Sequence, residues 1–300
     1  MSVCVVGSLN FDIICRVDHL PTPGETVTGS SLSRLPGGKG ANQAAAAARA
    51  GAKTVFIGAV GRDEPGDIVV AALMDRGVDV SGVKVFDHIA SGHAFISVAE
   101  SGENSIVLAP GANAALTPEH VIQAASAGHA VLLAQLECPL ETVAAAFQAA
   151  PGAIKILNAA PALEGCRALL PLIDILIVNE SELALLAGAG DLRQIDDISA
   201  AARGLMARPD QVVVVSLGAA GAVAVLAERI ELIVGRPAKA IDTTGAGDCF
   251  CGVLAAKLAE GAGLREAMVW ANTAASLSVE RPGALPAMPT REEIEAALGA

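Results

Sequence analysis

Six short runs, at residues 3–6, 54–57, 130–134, 154–157, 175–178 and 212–215, are apolar at nearly every position. A strand with one face in water alternates apolar and polar residues, so a run without alternation must be covered on both faces. That requirement calls for a mostly parallel sheet with helices on each side. Helical patterns fall between the runs: residues 41–50 closed by Gly51, 66–76 closed by Gly77, and 140–149 after Pro139. Thr117-Pro118 marks another helix start, with Pro at the first helical position. Thr290-Arg291-Glu292-Glu293 is a capping box ahead of Ile294 and Leu298. The expected fold is α/β.

Two stretches break this rhythm. Residues 12–36 hold Pro21-Thr22-Pro23-Gly24-Glu25 between strand-like pieces, and residues 93–99 and 105–109 read as a hairpin around Glu100-Ser101-Gly102-Glu103-Asn104. The expectation is a single domain over residues 1–300, with a small β-sheet lid inserted from about 12–36 and 88–109. Its exposed edges and the apolar Phe95, Ile96, Ile106 and Val107, expected together on its outer face, predict pairing through that face with a second copy, a homodimer.

Lys+Arg number 20 against 32 Asp+Glu, a net charge of -12, which excludes a general nucleic-acid binder. An anionic substrate is still admissible, because local dipoles and a few cations can make a positive pocket. The first residues lack a basic segment, and Asn10 and Asp12 soon interrupt the apolar run, so they read as a strand and not a signal peptide. The apolar stretch 212–227 is broken by Ser216, Gly218 and Gly221 and reads as two strands and a turn, leaving no membrane span. Six scattered cysteines without a Cys-x-x-Cys pair fit reduced thiols, hence a cytoplasmic location.

The chemistry concentrates in Asp242-Thr243-Thr244-Gly245-Ala246-Gly247-Asp248, which runs into a helical stripe of Phe250, Leu254 and Leu258. Small residues let the turn gather N–H groups at the positive end of a helix, a seat for phosphate. Asp248 stands at its mouth, placed to take a proton from an attacking hydroxyl. Taken alone, an Asp at a helix start is most often an N-cap. A second cluster, Gly37-Gly38-Lys39-Gly40-Ala41-Asn42, opens the alanine helix. It is no Walker A loop, since Gly40 follows the lysine and an upstream glycine is missing.

The two glycine clusters together resemble the paired signatures of the ribokinase-like (PfkB-type) carbohydrate kinases. The similarity runs essentially end to end. It includes Pro21-Thr22-Pro23-Gly24-Glu25-Thr26, Gly111-Ala112-Asn113-Ala114-Ala115-Leu116 and Gln135-Leu136-Glu137. The resemblance implies a three-layer α/β/α sandwich and transfer of the γ-phosphoryl group of ATP to the C5 hydroxyl of D-ribose. It implies sugar contacts from Asn10, Asp12, Gly38, Asn42 and Glu137. Lys39 would stand by the transferring phosphoryl group, with the Gly245, Ala246 and Gly247 amides and Asp248 as base. Asn179 and Glu182 would lie near the phosphates and Mg²⁺, and Ser216, Gly218, Gly221, Gly247 and Asn272 would receive the nucleotide. Asp242 and Thr243, with carbonyls around Ser278, Arg281 and Gly283, resemble a K⁺ loop; Ala287 departs from the serine often found at its position.

Other readings are weaker. The same mechanism could serve fructose, deoxyribose, a sugar acid or a nucleoside, although no Tyr, six Phe and one Trp disfavour stacking a base. A Rossmann oxidoreductase lacks its Gly-x-Gly-x-x-Gly after the first strand. Retention of Asp248 and the anion hole argues against a catalytically dead sugar-binding regulator. Cys249 and Cys251 read as packing thiols, His93 as a surface strand residue and Trp270 as core.

Overall fold

The computed structural model describes residues 2–299. Its first half contains β1 (Ser2–Val6), β2 (Asn10–Val17), β3 (Ser31–Gly37), α1 (Lys39–Arg49), β4 (Lys53–Gly61), α2 (Glu64–Met74), β5 (Val78–Phe86), β6 (Gly92–Ala99) and β7 (Asn104–Ala109). Next come α3 (Pro118–Ala125), β8 (Val131–Ala134), α4 (Leu140–Ala149), β9 (Ile154–Asn158), β10 (Ile175–Asn179), α5 (Glu180–Ala187) and α6 (Ile195–Leu205). The chain continues through β11 (Val212–Ser216), β12 (Gly221–Val225), β13 (Ile230–Val234), α7 (Ala246–Ala259), α8 (Leu264–Ser278) and α9 (Arg291–Leu298).

Nine strands form one sheet in the order β13-β12-β11-β10-β9-β8-β1-β4-β5. Pairing is parallel except at β11–β12 and β12–β13. All six apolar runs are strands here, and they sit side by side in the middle. Alternate residues of each strand enter separate cores: Val3 and Val5 pack on one face of the sheet, Cys4 and Val6 on the other. The middle strands therefore show no alternation, whereas at the edges β5 carries the exposed polar Asp79, Ser81 and Lys84 and β13 is interrupted by the half-buried Glu231, so both escape such a search.

The off-rhythm stretches form a second, four-stranded sheet ordered β3-β2-β6-β7. Its register corrects one expectation. Phe95 pairs with Val107 and Ile96 with Ile106, so the four residues divide between two faces, as a period of two requires. Asp12 pairs with Ala94, which pairs with Leu108, placing Ile96, Ile106 and Leu108 on the Asp12 face.

Helix α1 buries every residue from Gly40 to Ala47, largely against α7. Alanines allow that approach, and Gly252 completes it: a Cβ there would stand 2.7 Å from the Ala46 methyl. The contact brings residues about two hundred positions apart to one place, at the carboxyl ends of the parallel strands, where open α/β sheets bind ligands. Trp270 is only partly buried, its ring lying 4.1 Å from Lys257 Nζ. No helix among the described residues is long and apolar enough to cross a membrane.

Candidate active site

Gly245 opens α7 with φ 75 and no side-chain cap. A Cβ at that position would lie 2.6 Å from the Ala284 methyl, so the turn can pack this tightly only with glycine. Asp248, in the first turn, is not the N-cap. It is 7% exposed, and its oxygens point across to α1: Asn42 Nδ2 donates to Oδ2 at 2.9 Å and Gln43 Nε2 to Oδ1 at 3.0 Å. Burial pushes its pKa up, against the pull of Lys39, Gln43 and Asn42. A carboxylate so placed is a stronger base than one in water.

Lys39, Asn179, Glu182, Ser216, Thr243 and the turn Gly245–Asp248 line a cavity of about 220 Å³. Burial works against the Lys39 charge, yet Asp248, Glu137 and Glu182 outweigh it and raise its pKa. The positive end of α7, its free amides and Lys39 thus face one small polar space, suited to a phosphoryl group.

On one side lie the residues expected to hold sugar. Asn10 is buried and accepts from Asn113 Nδ2 at 2.9 Å, while Asn113 also bonds the Leu9 backbone N–H and C=O. Glu137 is not a free loop acid, because it accepts from Ser8 Oγ and, at 3.3 Å, from the Lys39 N–H. Asn42 Oδ1 is buried without a partner, an acceptor that a ligand hydroxyl would satisfy. Burial, with Glu137 and Asp248 adding repulsion, moves the Asp12 carboxyl from 3.8 to about 7. Gly38 caps the start of α1 with φ 96. Asn10, Asn113 and Glu137 border a hollow of about 350 Å³ walled by Leu108, Leu136 and Pro139.

On the other side, Gly218, Arg236, Thr243, Ala246, Asn272 and Ser276 border a hollow of about 450 Å³. Thr243 and Ala246 belong to both this hollow and the small cavity, so the two adjoin. Asn272 Nδ2 donates to Val234 O at 3.1 Å. Asn179 and Glu182 cap α5 reciprocally, each side chain accepting at 2.8 Å from the other's backbone N–H. Gly221 stands apart, buried in the β12–β13 pair and lining neither hollow.

No cluster of three or more His, Cys, Asp or Glu able to hold a metal ion occurs among the described residues. A divalent ion carried on nucleotide phosphates fits better, since Glu182 keeps Oε1 outside its cap and the ion needs few protein ligands. Asp242 accepts from the Thr244 N–H at 2.9 Å and the Gly283 N–H at 2.8 Å. Burial opposes its charge, but those donors and Arg16 hold its pKa below the ordinary value. Val279 O accepts from the Ile241 and Asp242 N–H groups, so this half-buried carboxylate lies against the 279–283 backbone, a setting that fits a hard monovalent cation. Ser278 Oγ bonds Ala275 O, the Arg281 guanidinium is paired with Glu293, and buried Ala287 offers only its carbonyl.

Residues 1–291 match the family described as pfkB family carbohydrate kinase. The chain belongs to that family. A ribokinase of Haemophilus influenzae is 40% identical, with 97% of this chain and 96% of that protein covered. A deoxyribokinase of Salmonella typhi is 33% identical over 98% and 97%. The structure of Arabidopsis thaliana ribokinase complexed with ribose and ATP superposes with a TM-score of 0.89 at 33% identity, covering 100% of this chain and 99% of that one.

Several residues of this pfkB-family site were invisible as candidates in the sequence. Gln43 hides in the alanine helix, and Ser8 and Asn158 follow apolar strands like any turn residue. Asn113 stood in a motif without a role. The available signal was a buried amide or hydroxyl among residues that otherwise offer only methyl groups.

Proposed function

We propose that the chain transfers the γ-phosphoryl group of ATP to the C5 hydroxyl of D-ribose. The observation that carries this reading is Asp248, a buried base at the mouth of an anion-binding helix end, between a hollow bordered by Asn10, Asn113 and Glu137 and a nucleotide-sized one. The ribose and ATP of the Arabidopsis complex support the choice of both substrates.

In this reading Asn10, Asp12, Gly38, Asn42 and Glu137 hold the ring hydroxyls, and Asp248 accepts the proton of the C5 hydroxyl as that oxygen attacks. Lys39 and the Gly245, Ala246 and Gly247 amides take up charge on the equatorial phosphoryl oxygens. Glu182 and Asn179 would hold Mg²⁺, which when bound neutralises phosphate charge. The adenine would rest by Asn272 and Gly218. With ribokinases and a deoxyribokinase among its relatives, preference at C2 depends on the site itself. Assays with ribose, 2-deoxyribose, fructose and a nucleoside decide it: ribose should give the largest kcat/KM. If another acceptor exceeds it, the kinase chemistry stands and the ribose assignment falls.

Asp242, Thr243 and the 278–287 carbonyls would bind K⁺, whose charge, when bound, steadies Asp242 at the base of the anion hole. Potassium buffer should raise kcat a few-fold over sodium alone; equal rates would remove this role.

The small sheet would act as a lid over the sugar, paired with the lid of a second copy. Ile106 is 53% and Leu108 45% exposed on the Asp12 face, an apolar surface needing cover. Sedimentation at micromolar concentration should give a dimer, and Ile106→Asp a monomer. A monomeric parent would exclude the pairing. All six cysteines are free thiols, in keeping with the cytoplasm.

A further inference from the structure

Behind Asp248 lies a buried chain of amides that none of the roles above requires. Gln43 is 0% and Gln135 1% exposed. Gln135 Nε2 donates to Gln43 Oε1 at 2.6 Å. Gln43 Nε2 faces Asp248 Oδ1 and Asn158 Oδ1, each at 3.0 Å. Asn158 is held in turn by its Nδ2, which donates to Ile177 O at 3.2 Å. Each link sets the orientation of the next. Because Asn158 Oδ1, anchored through Ile177 O, accepts beside the carboxylate and Gln135 presents a donor to the Gln43 oxygen, the Gln43 nitrogen must point toward Asp248. Turning that amide over would set an oxygen against Asp248 and a nitrogen against a nitrogen. Gly7 leaves the space in which Gln135 Oε1 sits without a partner, since a Cβ there would run into it.

The arrangement has a use if the base must keep one oxygen fixed while the other meets substrate. We propose that Gln43 is a positioning residue for Asp248, with Asn158 on its nitrogen and Gln135 on its oxygen holding the amide so that the nitrogen, and not the oxygen, faces the carboxylate. This rests on the reading of Asp248 as the base. The Gln43 bond steadies the ionised form and fixes Oδ1, leaving Oδ2, shared with Asn42, for the incoming hydroxyl.

The test is the pH dependence of kcat in the full-length protein with ribose and ATP. Lys39 from α1, Asp12 from β2 and Glu182 from α5 share the electrostatic field of Asp248, as do the Cys249 and Cys251 thiols of its own helix. All of these stay in place in Gln43→Met, which keeps the volume and removes the donor. Loss of a donor to the carboxylate should move the acid limb of kcat upward by about one pH unit. kcat should fall about tenfold or more at neutral pH, with KM for ribose little changed. In an Asp248→Asn background the same substitution should cost less than about twofold, because a residue acting through Asp248 has nothing left to position.

An acid limb that stays in place, with equal losses in both backgrounds, overturns the proposal and leaves Gln43 a packing residue. If Asp248→Asn alone stays within about tenfold of the parent, the base itself is misassigned, a different failure from the first. Should Gln43→Met not fold, Gln135→Met provides the same reading. It removes the donor on the Gln43 oxygen, loosens that amide beside the carboxylate and should also move the limb upward; an unmoved limb there overturns the proposal equally.

Discussion

Asp248→Asn should lower kcat by roughly two to four orders of magnitude while ATP binding is largely kept. The substitution preserves size and leaves an amide oxygen for Asn42 or Gln43, so the fold around α7 has little reason to change. What disappears is the carboxylate oxygen placed to take the hydroxyl proton. The parent should also show an acid limb in kcat above the ordinary carboxylate range, because burial raises the Asp248 pKa. That limb should be absent from the variant. Steady-state kinetics from pH 5 to 9, with nucleotide binding measured separately, provides the check. A variant within about tenfold of the parent would remove Asp248 from the base role.

Asp12→Asn should separate function from stability. Its carboxyl titrates near 7 in the folded protein and at 3.8 when unperturbed. Between those values the folded chain holds its proton more tightly than the unfolded chain does. The stability it contributes is therefore fully present below 3.8 and lost as pH rises through 7. An Asn stays neutral throughout. Without ligand, the variant should melt a few degrees above the parent at pH 8, and the gap should narrow as pH falls toward 4. For ribose, kcat/KM should drop about a hundredfold or more, since the site then lacks an acceptor that a hydroxyl needs. Such a trade marks a group kept for binding at the expense of the fold. If ribose turnover survives, Asp12 does not touch the sugar. If the melting gap is independent of pH, its carboxyl is not perturbed.

The middle of the main sheet was legible because burial on both faces removes alternation from β1, β4 and β8 to β11. The edge strands β5 and β13 were not, since half of each faces water. Asp248 and the Gly245–Gly247 turn were legible as an anion seat because small residues before a helix have few other uses. The partners of Asp248 were not. Gln43 reaches it across 205 positions, and a distance of that kind leaves no periodic trace. The hold on Glu137 was hidden for a related reason: Ser8, which donates to it, lies 129 positions away in the link between β1 and β2. The lid faces were misjudged because adjacent residues of a strand look alike in apolar content while pointing opposite ways.

The α1–α7 contact has a consequence for how the protein is made. At roughly 5–20 residues per second, the ribosome delivers residue 248 about 10–40 seconds after residue 43. Through that interval the inner side of α1 stands without the helix that will cover it. A surface of methyl groups is the least adhesive apolar face a helix can carry, so the nascent chain exposes little that would capture a neighbour. Leucines there would bind more tightly in the finished protein and would also bind anything else first. The alanine tract that lets α7 approach so closely thus also protects the unfinished chain, and catalysis begins only after Asp248 has been added.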